Sequence, residues 1–215
     1  NKKTVMVAMS GGVDSSVTLI KVLEQGYNAI GVTMKLWDSG KVGGTDDNSC
    51  CGIEEINGAK IVCDQLGVPH YTIDFQDVFK DKVIDNFADE YLNGRTPNPC
   101  VRCNSYVKWD AFIEQANELG AEYIATGHYA IVDKHKNNYV IKKGVDSKKD
   151  QSYVLWGIPK DTIERTLFPL GQLTKKEVRQ IAREHNLETA ETPESMEICF
   201  VADNNYKRFL NDYIP

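Results

Sequence analysis

Apolar residues along this chain alternate between short β-branched runs and longer stretches spaced three and four apart. Thr4-Val5-Met6-Val7 opens the pattern, and residues 4–9 are predicted to form a strand buried on both faces. A glycine-rich turn follows. Val17, Leu19, Ile20, Val22 and Leu23 then line a helix over 15–25, which Gly26 closes. Residues 29–34 predict a second strand, and strand–helix–strand implies a right-handed parallel crossover. Further along, the same reasoning predicts helices over 53–66, 77–92 and 107–119 and strands over 70–74 and 123–126. Cys63, beside the apolar face of the first of these helices, reads as a small buried residue. A hairpin joins 130–133 to 139–142 across His135-Lys136-Asn137-Asn138.

Punctuation fills the gaps. Residues 38–52 are polar and glycine-rich, a loop insertion that carries Cys50 and Cys51. The two-proline stretch 94–104 reads as a loop outside regular structure. Residues 148–158 turn helical. Thr174 and Glu177 form a capping box for a helix to about 185, and after Thr192-Pro193 the chain runs irregularly to Cys199. The class is therefore α/β: a doubly wound parallel sheet with a short hairpin and a C-terminal helical extension. Ligands in such sheets sit beyond the C-terminal strand ends, so Met34, Gly127 and the first turn face one crevice.

With 215 residues, the chain fits one large domain, or one domain and the start of another. Residues 1–200 read as the first domain and 201–215 as the opening of a second. There is no initiator Met, so the true start is expected upstream. The net charge of −6 does not favour a nucleic-acid partner on whole-protein electrostatics. Locally, Lys134, Lys136, Lys142, Lys143, Lys148 and Lys149 crowd one segment, and Lys175, Lys176, Arg179 and Arg183 another. Either cluster also fits a solvated face. No apolar run is long enough to cross a bilayer and no signal peptide is visible, so no membrane partner is expected. Six cysteines then point to a reducing, cytoplasmic setting, where thiols serve as metal ligands or catalytic sulfur.

The chemistry begins at Ala8-Met9-Ser10-Gly11-Gly12-Val13-Asp14-Ser15. Two glycines let the backbone approach a ligand, and the free N–H groups of a helix start face whatever lies in the turn. That suits a chain of phosphates. The loop lacks the Gly-Lys-Ser/Thr ending of a Walker A motif, and GxGxxG does not occur. Ser-Gly-Gly-x-Asp-Ser resembles the pyrophosphate loop (PP-loop) of ATP pyrophosphatases, which split ATP into AMP and pyrophosphate. Alone, that leaves amide-forming synthetases, argininosuccinate synthase and RNA-thiolating enzymes all open.

Four further stretches narrow the resemblance: Gly94-Arg-Thr-Pro-Asn-Pro with Cys103-Asn104, Ala125-Thr-Gly-His-Tyr129, Lys149-Asp-Gln-Ser-Tyr153 and Glu197-Ile-Cys199-Phe200. Together with the loop they resemble the bacterial tRNA-specific 2-thiouridylase family. The resemblance implies ATP-dependent thiolation of uridine 34 in the anticodon stem-loop of tRNA. It implies that Ala8–Ser15 hold the phosphates with Asp14 as a Mg2+ ligand, and that Met34 and Gly127 contact the nucleotide. Cys199 would carry a persulfide loaded by a sulfur-donor protein, such as a cysteine desulfurase or a relay protein. Cys103 would be the nucleophile that resolves it, leaving a Cys103–Cys199 disulfide. Asn98, Pro99 and Cys100 would touch the target base, and His128, Lys149, Asp150 and Gln151 the tRNA. The family continues into a central domain and a C-terminal β-barrel.

One position departs from the family pattern. Many members carry Asp where this chain has Cys100, which makes Cys100-x-x-Cys103. Cys100, Cys103 and Cys199 thus also offer three ligands for a [4Fe–4S] cluster. A PP-loop synthetase that activates a carboxylate is the other alternative; it would need neither Cys103 nor Cys199.

Overall fold

In the computed structural model, residues 2–37, 53–193, 198–201 and 203–214 are described. The expected loop insertion with Cys50 and Cys51 lies outside them.

β1 (Thr4–Ala8) is the centre of the fold. Val5, Met6 and Val7 are fully buried, and their side chains part to opposite faces of the sheet. Met6 joins Val32 and Ile124 in one core, whereas Val5 and Val7 join Ala29 and Ala125 in the other. A strand apolar at every position belongs in such a sheet, covered on both sides. The sheet has the order β3-β2-β1-β4-β7, with every pair parallel. Its other strands are β2 (Asn28–Lys35), β3 (His70–Asp74), β4 (Tyr123–Ala125) and β7 (Thr166–Leu167). β1 pairs with β2 from Thr4↔Asn28 to Ala8↔Val32, and with β4 from Val5↔Tyr123 to Val7↔Ala125. The doubly wound parallel sheet is thus present. β5 (Ala130–His135) and β6 (Asn138–Lys143) form the separate hairpin, with Lys136 left-handed at φ 54° in its turn.

Helices cover the two faces. α1 (Val13–Glu24) and α2 (Ile53–Gln65) pack on the Val5/Val7 side, with Cys63 fully buried as expected. The other face carries α3 (Gln76–Phe79), a π turn over Lys80–Ile84 and α4 (Asp85–Leu92). A second long helical run follows there: α5 (Pro99–Arg102), a π-helical segment Cys103–Ala111 and α6 (Phe112–Glu118). After α7 (Lys160–Ile163), α8 (Lys175–Glu184) returns to the α1 side, and α9 (Tyr206–Tyr213) joins the opposite core through Phe209. The capping box of α8 is formed as expected: Thr174 and Glu177 bond each other's backbone N–H. Among the described residues no helix is long and apolar enough to cross a membrane.

Two expectations need correction, and one strand was not foreseen. The stretch 94–104 is not wholly irregular, because a helix starts at Pro99. Proline at a helix's first position loses no bond, and the Asn98 side chain caps the turn by accepting from the Val101 N–H at 3.2 Å. β7 went unforeseen, since two residues are too short to display a period. Residues 148–158 hold only a single 3-10 turn, Ser152–Val154.

The π-helical segment is tied to the sheet edge by a buried bond. The Trp109 indole N–H donates to the Thr166 hydroxyl at 2.8 Å, and that hydroxyl donates to the Thr162 carbonyl at 2.9 Å. Trp109→Phe strands the Thr166 oxygen as an acceptor and is expected to cost about 2 kcal/mol. At this chain length that lowers the thermal midpoint by roughly 4–8 °C, and an unchanged midpoint in a melting scan would contradict it.

Candidate active site

β2 and β4 leave β1 on opposite sides, so a crevice opens at the C-terminal strand ends. The glycine-rich loop fills its floor. Gly11 has φ 75°, and a Cβ there would meet the Glu55 carbonyl oxygen at 2.5 Å. No larger residue fits both demands. Gly12 caps α1 in extended conformation without a side-chain hydrogen bond, which leaves the helix's first N–H groups facing the crevice. The Ser15 and Ser16 hydroxyls both donate to the Gly12 carbonyl at 2.9 Å and hold the turn closed. Gly127, past β4, packs tightly on α1: a Cβ would lie 3.1 Å from the Asp14 backbone carbon.

Two adjoining cavities result. The smaller, about 220 Å³, is walled by Ala8, Ser15, Asp14, Thr126 and Gly127. The larger, about 300 Å³, is walled by Pro99, Cys100, Cys103, Asn104, Cys199 and Phe200, among others. Met9, Ser10, Met34, Lys108, His128 and Gln151 line both. The glycine-rich loop and the cysteines, far apart in sequence, therefore open into one cleft.

Most of the residues expected at a site are here, though several have structural duties. Gly11 and Gly12 shape the turn, and Val13 is buried in the core. Asn98 is spent as a helix cap, while Pro99 and Cys100 reach the cavity wall. Asp150 is tied into its own loop, accepting from Gly144 N–H at 3.0 Å and from the Ser152 hydroxyl at 3.0 Å. Gln151 reaches the cleft and clasps Tyr129, its side-chain oxygen accepting from Tyr129 N–H and its own N–H donating to the Tyr129 carbonyl. Lys149 lines neither cavity. The basic cluster on α8 is largely engaged internally: Arg179 donates to the Ala190 and Thr192 carbonyls, and Arg183 pairs with Glu191.

Asp14 does not present an open carboxylate for Mg2+. Both of its oxygens accept from the Lys175 ammonium at 2.8 Å, and one also accepts from the Tyr129 hydroxyl at 2.8 Å. This knot joins the starts of α1 and α8. Among the described residues no three His, Cys, Asp or Glu side chains converge to hold a metal ion. Cys100, Cys103 and Cys199 line the same cavity.

The cysteines differ in environment. Cys63 lies deep in the α2 core, where burial pushes its thiol up to about 12, and it is inert. Cys103 and Cys199 are both half-buried. Cys199 sits on a turn pinned by its neighbour Phe200, whose ring is wedged among Phe79, Phe87 and Phe209 at centroid distances of 5.8, 5.2 and 5.3 Å. Cys100 is open on its outer side, yet desolvation raises its thiol pKa. Cys199 adds to that rise and Lys108 opposes it.

Sequence reasoning missed Lys108 and Asn104 as parts of the site. Lys108 is half-buried, lies on both cavity walls, and makes no hydrogen bond or ion pair among the described residues. The available signal was the spacing Cys100, Asn104, Lys108, one helix face, but it appeared only once residues 99–111 were helical.

The family described as tRNA methyl transferase HUP domain matches residues 3–203. The chain belongs to this family. It is 50% identical to the tRNA-specific 2-thiouridylase MnmA of Salinibacter ruber, over 99% of this chain and 57% of that protein. It is 53% identical to the enzyme of the same name from Carboxydothermus hydrogenoformans, over 98% of this chain and 59% of that one. The chain thus spans under three fifths of these relatives' length. The resemblance carried by the five motifs therefore holds across nearly the whole chain. Among solved structures, a 4-thiouridine synthetase in complex with RNA and bound ATP superposes with a TM-score of 0.59 at 18% identity. That match covers 99% of this chain and 50% of the synthetase. At that identity the likeness concerns the fold alone.

His128 gives the site a pH signature. It is only 8% exposed, its Nδ1 lies 2.7 Å from the Thr126 hydroxyl, and burial holds its pKa well below the usual imidazole value, with Lys108 adding to the effect. The unfolded chain takes up this proton below about pH 6.5, while the folded chain does not. The unfolded state therefore binds more protons, and stability is lost as pH falls through that value, by at most about 1.4 kcal/mol per pH unit. Denaturant unfolding at pH 7.5 and 5.5 should show a smaller drop for His128→Gln than for the unaltered protein. Parallel drops would mean that His128 protonates in the fold.

Proposed function

We propose that the protein containing this chain is an ATP-dependent tRNA-uridine 2-sulfurtransferase acting on uridine 34. The observation that carries this reading is the shared cleft: a glycine-rich loop suited to phosphates and the cysteines Cys103 and Cys199 on walls of adjoining cavities. A carboxylate-activating synthetase would use the loop and has no need of the thiols. In this reading residues 1–200 make up the catalytic domain. The anticodon stem-loop, with the wobble base turned out of its stack, is the macromolecular substrate, since RNA is read best at unstacked loop bases.

The reaction follows from the two halves. In the smaller cavity, the α1 N-terminus and the loop N–H groups hold the phosphates of ATP. The uridine O2 attacks the α-phosphorus, and pyrophosphate leaves. That converts a poor leaving group into AMP. A sulfur-donor protein has meanwhile placed a persulfide on Cys199, whose terminal sulfur attacks C2 and expels AMP. The Cys103 thiolate then attacks the Cys199 Sγ, breaking the S–S bond. 2-Thiouridine leaves and a Cys103–Cys199 disulfide remains, which a two-electron thiol reductant reopens. Lys108, on the wall common to both cavities, places a positive charge where adenylate phosphate and thiolate meet. A buried, neutral His128 adds no competing charge. Cys100, with its raised thiol pKa, stays protonated at neutral pH and serves as a wall residue. Mg2+ accompanies ATP in this reading, and Asp14 reaches it only if the bond to Lys175 opens.

Two measurements test the reading. Full-length protein with ATP, tRNA and a sulfur donor should release pyrophosphate and form 2-thiouridine. Cys103→Ser and Cys199→Ser should each lower thiouridine by at least about a hundredfold while pyrophosphate release persists. Cys100→Ser should stay within about threefold of the parent. Loss of activity in Cys100→Ser, with iron retained in anaerobically purified parent protein, would favour the cluster instead. Separately, Gly11→Ala should weaken ATP binding by about tenfold or more, given the cost of a left-handed alanine and the clash with the Glu55 carbonyl. Unchanged ATP affinity in a calorimetric titration would remove the loop from the nucleotide site.

A further inference from the structure

We infer that Asn104 reads the N3–H of the uracil ring and so decides which base the cysteine cavity accepts; this rests on the thiolation reading above. Asn104 is 2% exposed and directly follows Cys103 in the π-helical segment. Its amide nitrogen donates to the Val154 carbonyl at 3.2 Å. A carbonyl can only accept, so the amide's orientation is settled and Oδ1 is the free end. That oxygen is buried and has no hydrogen-bond partner among the described residues. Buried polar atoms are almost always paired, so an orphan acceptor in the wall of a cavity marks the place of a missing donor.

The cavity describes the donor. Leu36, Phe79, Val83 and Phe200 give it apolar walls, and the largely exposed Tyr153 stands among its lining residues. A flat heterocycle with few polar edges suits it. Uracil has one ring N–H, at N3, next to C2, where sulfur is to be placed. Its O2 and O4 only accept. An acceptor one residue from Cys103 thus holds N3 while the adjacent carbon faces the thiols. Cytosine presents a lone pair at N3, directed at the lone pairs of Oδ1. Its amino group, at position 4, could reach Asn104 only by turning C2 away from the sulfur. Asn104 is accordingly a positioning residue that selects for a ring N–H and leaves the chemistry to Cys103 and Cys199.

The test pairs a base-atom change with a residue change, using full-length protein and anticodon stem-loop RNAs that differ only at position 34. 3-Deazauridine replaces N3–H by C–H and keeps the ring's shape. Unaltered protein should bind the uridine RNA at least about tenfold more tightly than the 3-deazauridine RNA, because a site built to hydrogen-bond an N–H rejects its absence. Asn104→Leu should bind uridine at least about tenfold more weakly and treat the two RNAs alike within about twofold. ATP affinity, read at the other cavity, should be unchanged and reports that the variant is folded. A purely structural role would weaken both RNAs equally and leave their ratio intact. Equal binding of the two RNAs by unaltered protein overturns the inference without any variant. If that equality is seen while 2-thiouridine still forms, only the role of Asn104 falls. If no 2-thiouridine forms with the uridine RNA, the thiolation reading falls and takes this inference with it.

Discussion

Everything at this site depends on how β1 parts from its neighbours. A parallel strand whose two partners continue to opposite sides cannot be covered at its C-terminal end, so a crevice must open there. The crevice is usable only because the backbone on either side comes unusually close. Gly11 takes a left-handed turn over the Glu55 carbonyl, and Gly127 lies against the backbone of Asp14. Both contacts exclude a side chain. They bring the end of β4 and the start of α1 together around the space where phosphates would lie.

The second half of the cleft is built by a different device. Asn98 caps and Pro99 opens a helix that continues, with widened turns, past Lys108. π-helical turns cost regular hydrogen bonding and are found mostly where function needs a face redirected. Here they place Cys103, Asn104 and Lys108 on the cavity wall, and Trp109 anchors the segment to β7. Facing them, Cys199 has no regular structure of its own. Its position comes from Phe200, locked edge-on into an aromatic cluster. A loop cysteine is thereby positioned by the packing of its neighbour, as the proposed reaction between two thiols and one base would require.

Charge within the cleft is distributed sparingly. The Asp14 carboxylate is paired with Lys175 and bonded by Tyr129, so the loop's own acid adds no unpaired negative charge to the cleft. His128 stays uncharged through burial. Lys108 is left as a cation without an ion pair among the described residues, placed between the two cavities. An acidic chain can thus present a locally positive interior without a basic outer surface.

By itself, the sequence determined the class of fold, the order of nearly all its elements and the place of the glycine-rich turn. Those properties are local: a period of two or 3.6, a glycine pair after a strand, a capping box. Motifs that resemble a family pointed it to Cys103 and Cys199, and Cys63 read as the small buried residue it is. It misread 94–104, because prolines break helices from within yet start them from outside, and the outcome turns on one side-chain bond from Asn98. Tertiary structure alone decided that Asp14 meets Lys175, 161 residues away, and that Asn98 caps while Asn104 keeps an oxygen unpaired among the described residues. It alone decided that Lys108 stands on both walls. Which polar atom finds a partner depends on what packs opposite it, and spacing along the chain carries no record of that.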